Sequence, residues 1–185
     1  MNICKSCGVG ILTPILNNSP FMVVKNSITD SELTENELFV QRTKNKWGYD
    51  EDTTSYYLNR EFGYRGLSLR SFSLASFYQH KVPKKGNKEV LAECERLALE
   101  HFIEIAKDKK IIFLMGAEAI RIVTGYGASS VYGLVCKSEY LPNVPVIIPA
   151  PNSDKLMSQP IGELRNSIRV LSEQIEIYRQ YQGAK

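Results

Sequence analysis

The run Ile111-Ile112-Phe113-Leu114-Met115 has no polar position to turn toward water, the pattern of a strand buried on both faces. Upstream, Ser71-Phe72-Ser73-Leu74-Ala75-Ser76-Phe77 alternates small polar and apolar residues and predicts a second strand. Val82 to Asn87 cannot continue it, because Pro83 lacks a backbone donor and Gly86 frees the chain. From Lys88 to Lys107 the residues Leu91, Cys94, Ala98, Phe102 and Ile105 recur at helical spacing and form one apolar face. Lys109-Lys110 places positive charge where the helix dipole favours it. Strand, helix and strand form a parallel unit, whose functional loops sit at the carboxyl ends of the strands. Those ends are Phe77 to Val82, and Gly116.

The same patterning places the remaining elements. Phe21-Met22-Val23-Val24 predicts a short buried strand, followed by a polar loop from Asn26 to Leu38 with one helical turn over Ser31 to Glu37. Phe39-Val40 is the next apolar pair, and Lys44 to Asp52 is polar apart from Trp47 and Tyr49. Thr53 to Phe62 predicts a helix ended by Gly63. Ala117 to Val123 predicts a helix broken by Gly125 to Gly127. Val131 to Val135 and Pro145 to Ile148 predict strands, and Gly162 to Gln180 predicts a terminal amphipathic helix. The order implies one α/β domain spanning residues 1–185, with a mostly parallel sheet of about four strands between two layers of helices.

Composition fits that picture. With 43% hydrophobic and 23% charged residues, 185 residues supply one core. A net charge of +3 permits a nucleic-acid partner, but only clustered charge makes a footprint. There is no signal-peptide pattern and no apolar run of membrane-spanning length, so the expectation is an intracellular, cytoplasmic protein that is not secreted and has no membrane partner. Four cysteines in that setting argue for metal or free thiols before disulfides. Cys4-Lys5-Ser6-Cys7-Gly8 has the spacing of a metal knuckle. Tyr56, Tyr57, Tyr64 and Trp47 either form a stacking surface for single-stranded DNA or pack a helix onto the sheet.

The spacing of these pieces resembles the uracil-DNA glycosylase superfamily, and within it the iron–sulfur branch. The resemblance runs from Cys4 to about Leu171. It rests on Cys4 and Cys7, the first strand, Phe39, the run Ser76 to Pro83, Cys94, Leu114-Met115-Gly116 with Ala119, Gly133, and Val146 to Leu156. The resemblance implies a three-layer α/β/α fold and a metal site of Cys4, Cys7, His80 and Cys94, with His80 where the family has a cysteine. It implies a [4Fe–4S] cluster there, with zinc as the alternative. Phe39 falls where the family stacks an aromatic on the flipped base. Lys81, Lys84, Lys85 and Lys155 fall where the fold faces DNA, with Leu156 and Met157 at the place of an intercalating wedge. Cys136 is left as a core thiol and His101 as a structural residue.

The reactive positions depart from the family. Its glycine-rich loop, which carries an acidic group, is here Lys25-Asn26-Ser27-Ile28-Thr29; its uracil-reading asparagine is Ser76; the histidine of its His-Pro motif is Ala150. These replacements remove the water-activating group, the base-edge reader and the cation that stabilises the departing base. The expectation is therefore an inactive relative that serves as a DNA-binding or replication- and repair-associated subunit with DNA and a protein as partners. The alternative is a glycosylase working on uracil or a modified base through Asn26 or Ser27.

Overall fold

The computed structural model describes residues 3–82, 87–152 and 161–183. In chain order these form β1 (Phe21–Ser27), α1 (Asp30–Glu35), β2 (Arg42–Lys44), β3 (Asp50–Asp52), α2 (Thr54–Gly63), a 3₁₀ turn (Leu69–Ser71), β4 (Ser73–Tyr78), α3 (Lys88–Ala106), β5 (Ile111–Met115), α4 (Ala117–Thr124), α5 (Ala128–Val131), β6 (Val146–Ala150) and α6 (Gly162–Gly183). Four strands make an all-parallel sheet in the order β4-β1-β5-β6. Every residue of β4 and of β5 is buried, as the continuous apolar run of β5 requires and the small Ser73, Ala75 and Ser76 of β4 allow.

The chain leaves β1 toward β4, then crosses back over β1 to reach β5 and β6. Crossovers of one hand that travel in opposite directions leave their helices on opposite faces. One core accordingly packs α2 and α6 on Phe21, Val23, Leu74, Phe113 and Ile148, through Leu58, Phe62, Leu164, Ile168, Leu171 and Ile175. The other packs α3 and α4 on Met22, Val24, Ala75, Phe77, Ile112 and Ile147, through Ala98, Phe102, Ala119, Ile120 and Val123. The result is the three-layer α/β/α arrangement expected from the sequence.

Two segments differ from that expectation. Val131–Val135 is not a strand: Val131 ends α5, and Gly133 turns the chain at φ +71° with its N–H donated to the Pro149 carbonyl. Only Cys136 then pairs, in a single antiparallel bridge to Ile147 at the edge of β6. The polar stretch around Lys44 to Asp52 is a hairpin, β2 against β3, with Gly48 at φ +83° in its turn.

Candidate metal centre

Cys4 and Cys7 are brought together by their own loop. The Gly8 N–H donates to the Cys4 carbonyl, the Cys4 N–H donates to the Val9 carbonyl, and Gly8 takes φ +70°, a conformation that costs glycine little. The Ser6 hydroxyl donates to the Val90 carbonyl and fixes this knuckle to α3. Cys94 comes from the buried face of α3, and His80 follows the end of β4. The ligand atoms of Cys4, Cys7, His80 and Cys94 all lie within 4.8 Å of one another. Cys4 Sγ is 3.9 Å from Cys94 Sγ, and Cys7 Sγ is 3.8 Å from His80 Nε2.

The imidazole is already turned for ligation. His80 Nδ1 lies 3.0 Å from the Lys81 carbonyl oxygen, which can only accept, so Nδ1 carries the proton and Nε2 presents its lone pair to the thiols. Cys4 is a thiol whose surroundings favour ionisation. Burial pushes that thiol up, but backbone N–H groups of Cys7 and Ser6 aimed at the sulfur, with the Cys7 and Cys94 thiols, hold it below the ordinary value. Cys94, mainly through burial and with Cys7 and Cys4 adding to it, is pushed up to about 11 against a hydrogen bond from Ser6. Three cysteine sulfurs, each a ligand as thiolate, beside an imidazole nitrogen are a donor set that can hold a metal ion. Cys136, by contrast, is buried alone against β6, and burial raises its thiol.

The carboxyl edge of the sheet holds the other positions singled out in the sequence, and those on its α2/α6 side are buried. On the α2/α6 side, Lys25 is ion-paired to Glu32, and both are buried. Glu32 closes a capping box on Thr29, whose N–H and hydroxyl donate to Oε2 at 2.8 and 3.0 Å. Its Oε1 accepts the Phe39 N–H at 2.7 Å, which holds Phe39 at φ +57°. The Phe39 ring belongs to the core and lies under the Lys25 ammonium, 5.4 Å from its centre. Ser76 is the β4 neighbour of Lys25 and is 4% exposed, and among the described residues its Oγ is buried without a hydrogen-bond partner. Ala150 is fully buried at the end of β6.

On the α3/α4 side, the switch point between β1 and β5 is closed by Asn26. Its Oδ1 accepts the Ala119 N–H at 3.0 Å, so the side chain takes an amide of the α4 N-terminus. Gly116 approaches so closely that an added Cβ would stand 2.5 Å from Asn26 Cβ. Ser27 ends β1 opposite Tyr78, whose hydroxyl donates to Glu118 at 3.1 Å.

Of the lysines expected at this edge, Lys81 is bound to both Asp30 carboxylate oxygens at 2.6 Å. Lys84, Lys85 and Lys155, and with them Leu156 and Met157, lie outside the described residues. His101 is half-buried with Nε2 2.7 Å from Gln79 Nε2. The inner pair Lys25–Glu32 went unseen in the sequence. Half of it had a local signal, because Thr29 followed three residues later by Glu32 spells a capping box.

The fold and this site define an α/β protein with a Cys₃His group able to hold a metal ion. No family model matches the chain, and no curated protein matches it. No helix among the described residues is long and apolar enough to cross a membrane.

Proposed function

We propose that the chain is a non-catalytic, DNA-associated relative of the iron–sulfur uracil-DNA glycosylases, in which Cys4, Cys7, His80 and Cys94 hold one structural zinc ion. The observation that carries the loss of excision is the Lys25–Glu32 pair. With Phe39, Ser76 and Ala150 it lies buried at the carboxyl edge, where the resemblance puts the flipped base. Asn26, one of the two groups on which the alternative rests, has its side-chain oxygen engaged by the Ala119 N–H.

Zinc is favoured over a cluster by size. Bonds of about 2.0 to 2.3 Å to a tetrahedral ion place ligand atoms roughly 3.3 to 3.8 Å apart. The separations of 3.9 and 3.8 Å approach that edge. A four-iron cluster takes each ligand on a different iron and spreads them well beyond 4.8 Å. DNA association is supported by the exposed tip of the hairpin, where Lys46 lies 5.0 Å over the Trp47 ring and Tyr49 stands open to solvent.

The test is incubation with uracil-containing single- and double-stranded oligonucleotides, then alkali, with binding of the same oligonucleotides followed as salt is raised. Binding that weakens with salt and leaves the strands intact is expected. Scission that disappears in Asn26→Ala would overturn the non-catalytic reading, and an absence of binding at low salt would overturn the DNA reading.

A further inference from the structure

We infer that residues 3–17 are a metal-latched arm over the outer edge of β4, and that in the metal-free chain this edge pairs with β4 of a second copy. The inference rests on the metal reading above.

The sheet has two edges, and they are guarded differently. At β6, Pro149 lies within the strand, and the Cys136 bridge and the Gly133 N–H hold the preceding segment in place. At β4, nothing in the strand itself opposes pairing. Phe72 to Gln79 contains no charged residue, no proline and no glycine, which are the usual guards of an edge. The Leu74 N–H and C=O point outward and are taken by the Ile15 C=O and N–H, both at 2.8 Å. Protection of β4 therefore comes from the arm.

The arm's own hold is thin. Leu12 donates its N–H to the Gln79 carbonyl, and between Leu12 and Ile15 Pro14 offers no donor. Leu12 and Cys4 are its buried apolar side chains among the described residues, whereas Ile3, Ile15 and Leu16 are about half exposed or more. Its far end is pinned separately. Lys109 Nζ donates to the Ser19 carbonyl and Ser73 Oγ at 2.8 and 2.9 Å, and Asn17 Nδ2 donates to the Phe72 carbonyl. The near end is pinned by the Cys4–Cys7 knuckle, through His80 and Cys94, with the Ser6–Val90 hydrogen bond beside it. Metal loss leaves that end on the single Ser6–Val90 hydrogen bond, too little to keep the strip over a six-residue uncharged edge. Two such edges are self-complementary about a two-fold axis, so the fitting occupant is another copy.

The full chain is measured zinc-loaded, after chelation, and as Cys7→Ser, by metal content, by mass in solution at rising concentration, and by hydrogen exchange. Loaded protein should be monomeric with residues 12–17 protected. Chelated protein and Cys7→Ser should lose protection over 12–17 by about tenfold or more, keep it over 73–79, and double in mass, while 111–115 stays protected. A chelated chain that stays monomeric overturns the pairing. An arm that stays protected, or 111–115 exchanging with it, overturns the latch. Purified chain that never takes up metal overturns the metal reading and the latch with it, and the metal analysis separates that failure from the other two.

Discussion

The Asn26 side chain holds the Ala119 N–H at 3.0 Å and lies against the bare backbone of Gly116. The first residue past the core of β1 thus caps the helix that follows β5, and it does so at the point where an open α/β sheet offers a ligand crevice. Asn26→Ala should cost about 1 kcal/mol, the worth of a side-chain cap, in urea denaturation. Gly116→Ala should cost roughly 3 kcal/mol, because Gly116 takes φ +103° and the new Cβ would meet Asn26. In an Asn26→Gly background the overlap vanishes while the φ strain remains. Coupling between the two sites of at least about 1 kcal/mol is expected, and simple additivity would show that no close approach exists.

The Lys25–Glu32 pair should respond unequally to loss of either partner. Glu32 keeps three donors without Lys25, namely the Thr29 N–H, the Thr29 hydroxyl and the Phe39 N–H. Lys25 without the carboxylate keeps the face of Phe39. Glu32→Gln leaves a buried ammonium uncompensated and should cost about 3 to 5 kcal/mol. Lys25→Met should cost under about 2 kcal/mol. The order of the two denaturation midpoints is the readout, and Lys25→Met falling below Glu32→Gln would contradict the network.

How much of this was legible in the chain depended on whether neighbours in sequence were neighbours in space. Ile111–Met115 and Lys88–Ala106 declare themselves, since burial on both faces and on one helix face is written in local spacing. Val131 to Val135 misleads because β-branched residues there serve a turn, with Gly133 at φ +71° bonded to a strand that comes later. The hairpin of Arg42–Lys44 with Asp50–Asp52 is exposed on both strands and so carries no alternation to read. Cys4 and Cys94 are found as a pair only by resemblance to a family. Periodicity places Cys94 on the core face of α3, and nothing local says that a knuckle ninety residues away meets it. Lys25 reads as the first residue of a polar loop; its burial follows from Glu32 and Phe39 folding back over β1.

Acid should loosen the packing of α2 on α6 through Glu61. That carboxylate is buried and accepts from Arg165 at 2.8 and 3.2 Å. The Arg165 hydrogen bond, against burial and aided by the charges of Arg165 and Arg60, holds it below its ordinary 4.5. A carboxyl depressed in the fold contributes stability that is present above its unfolded value and is lost as pH falls through its folded one. The thermal midpoint should therefore fall as pH drops below about 4.5, and Glu61→Gln should be flatter over the same range. A wild-type and Glu61→Gln difference that does not change with pH in that window would rule the clamp out.

The metal makes the sharpest division between the two chemistries the sequence left open. A single tetrahedral ion tolerates exchange of imidazole for thiolate, because both supply one lone pair at nearly the same distance. His80→Cys should still bind one zinc per chain and, loaded with cobalt(II), show the intense visible bands of tetrahedral thiolate coordination, altered from wild type by the fourth sulfur. Cys94→Ser should lose the ion, since a hydroxyl in the place of a buried thiol cannot become the anion that zinc takes. Anaerobic reconstitution with iron and sulfide distinguishes the cluster from the single ion proposed above, because a four-iron core would have to spread ligand atoms that lie within 4.8 Å of one another. Wild type should emerge from it colourless after desalting, and four irons with four sulfides per chain would replace the single-ion site with a cluster that spreads the knuckle from α3.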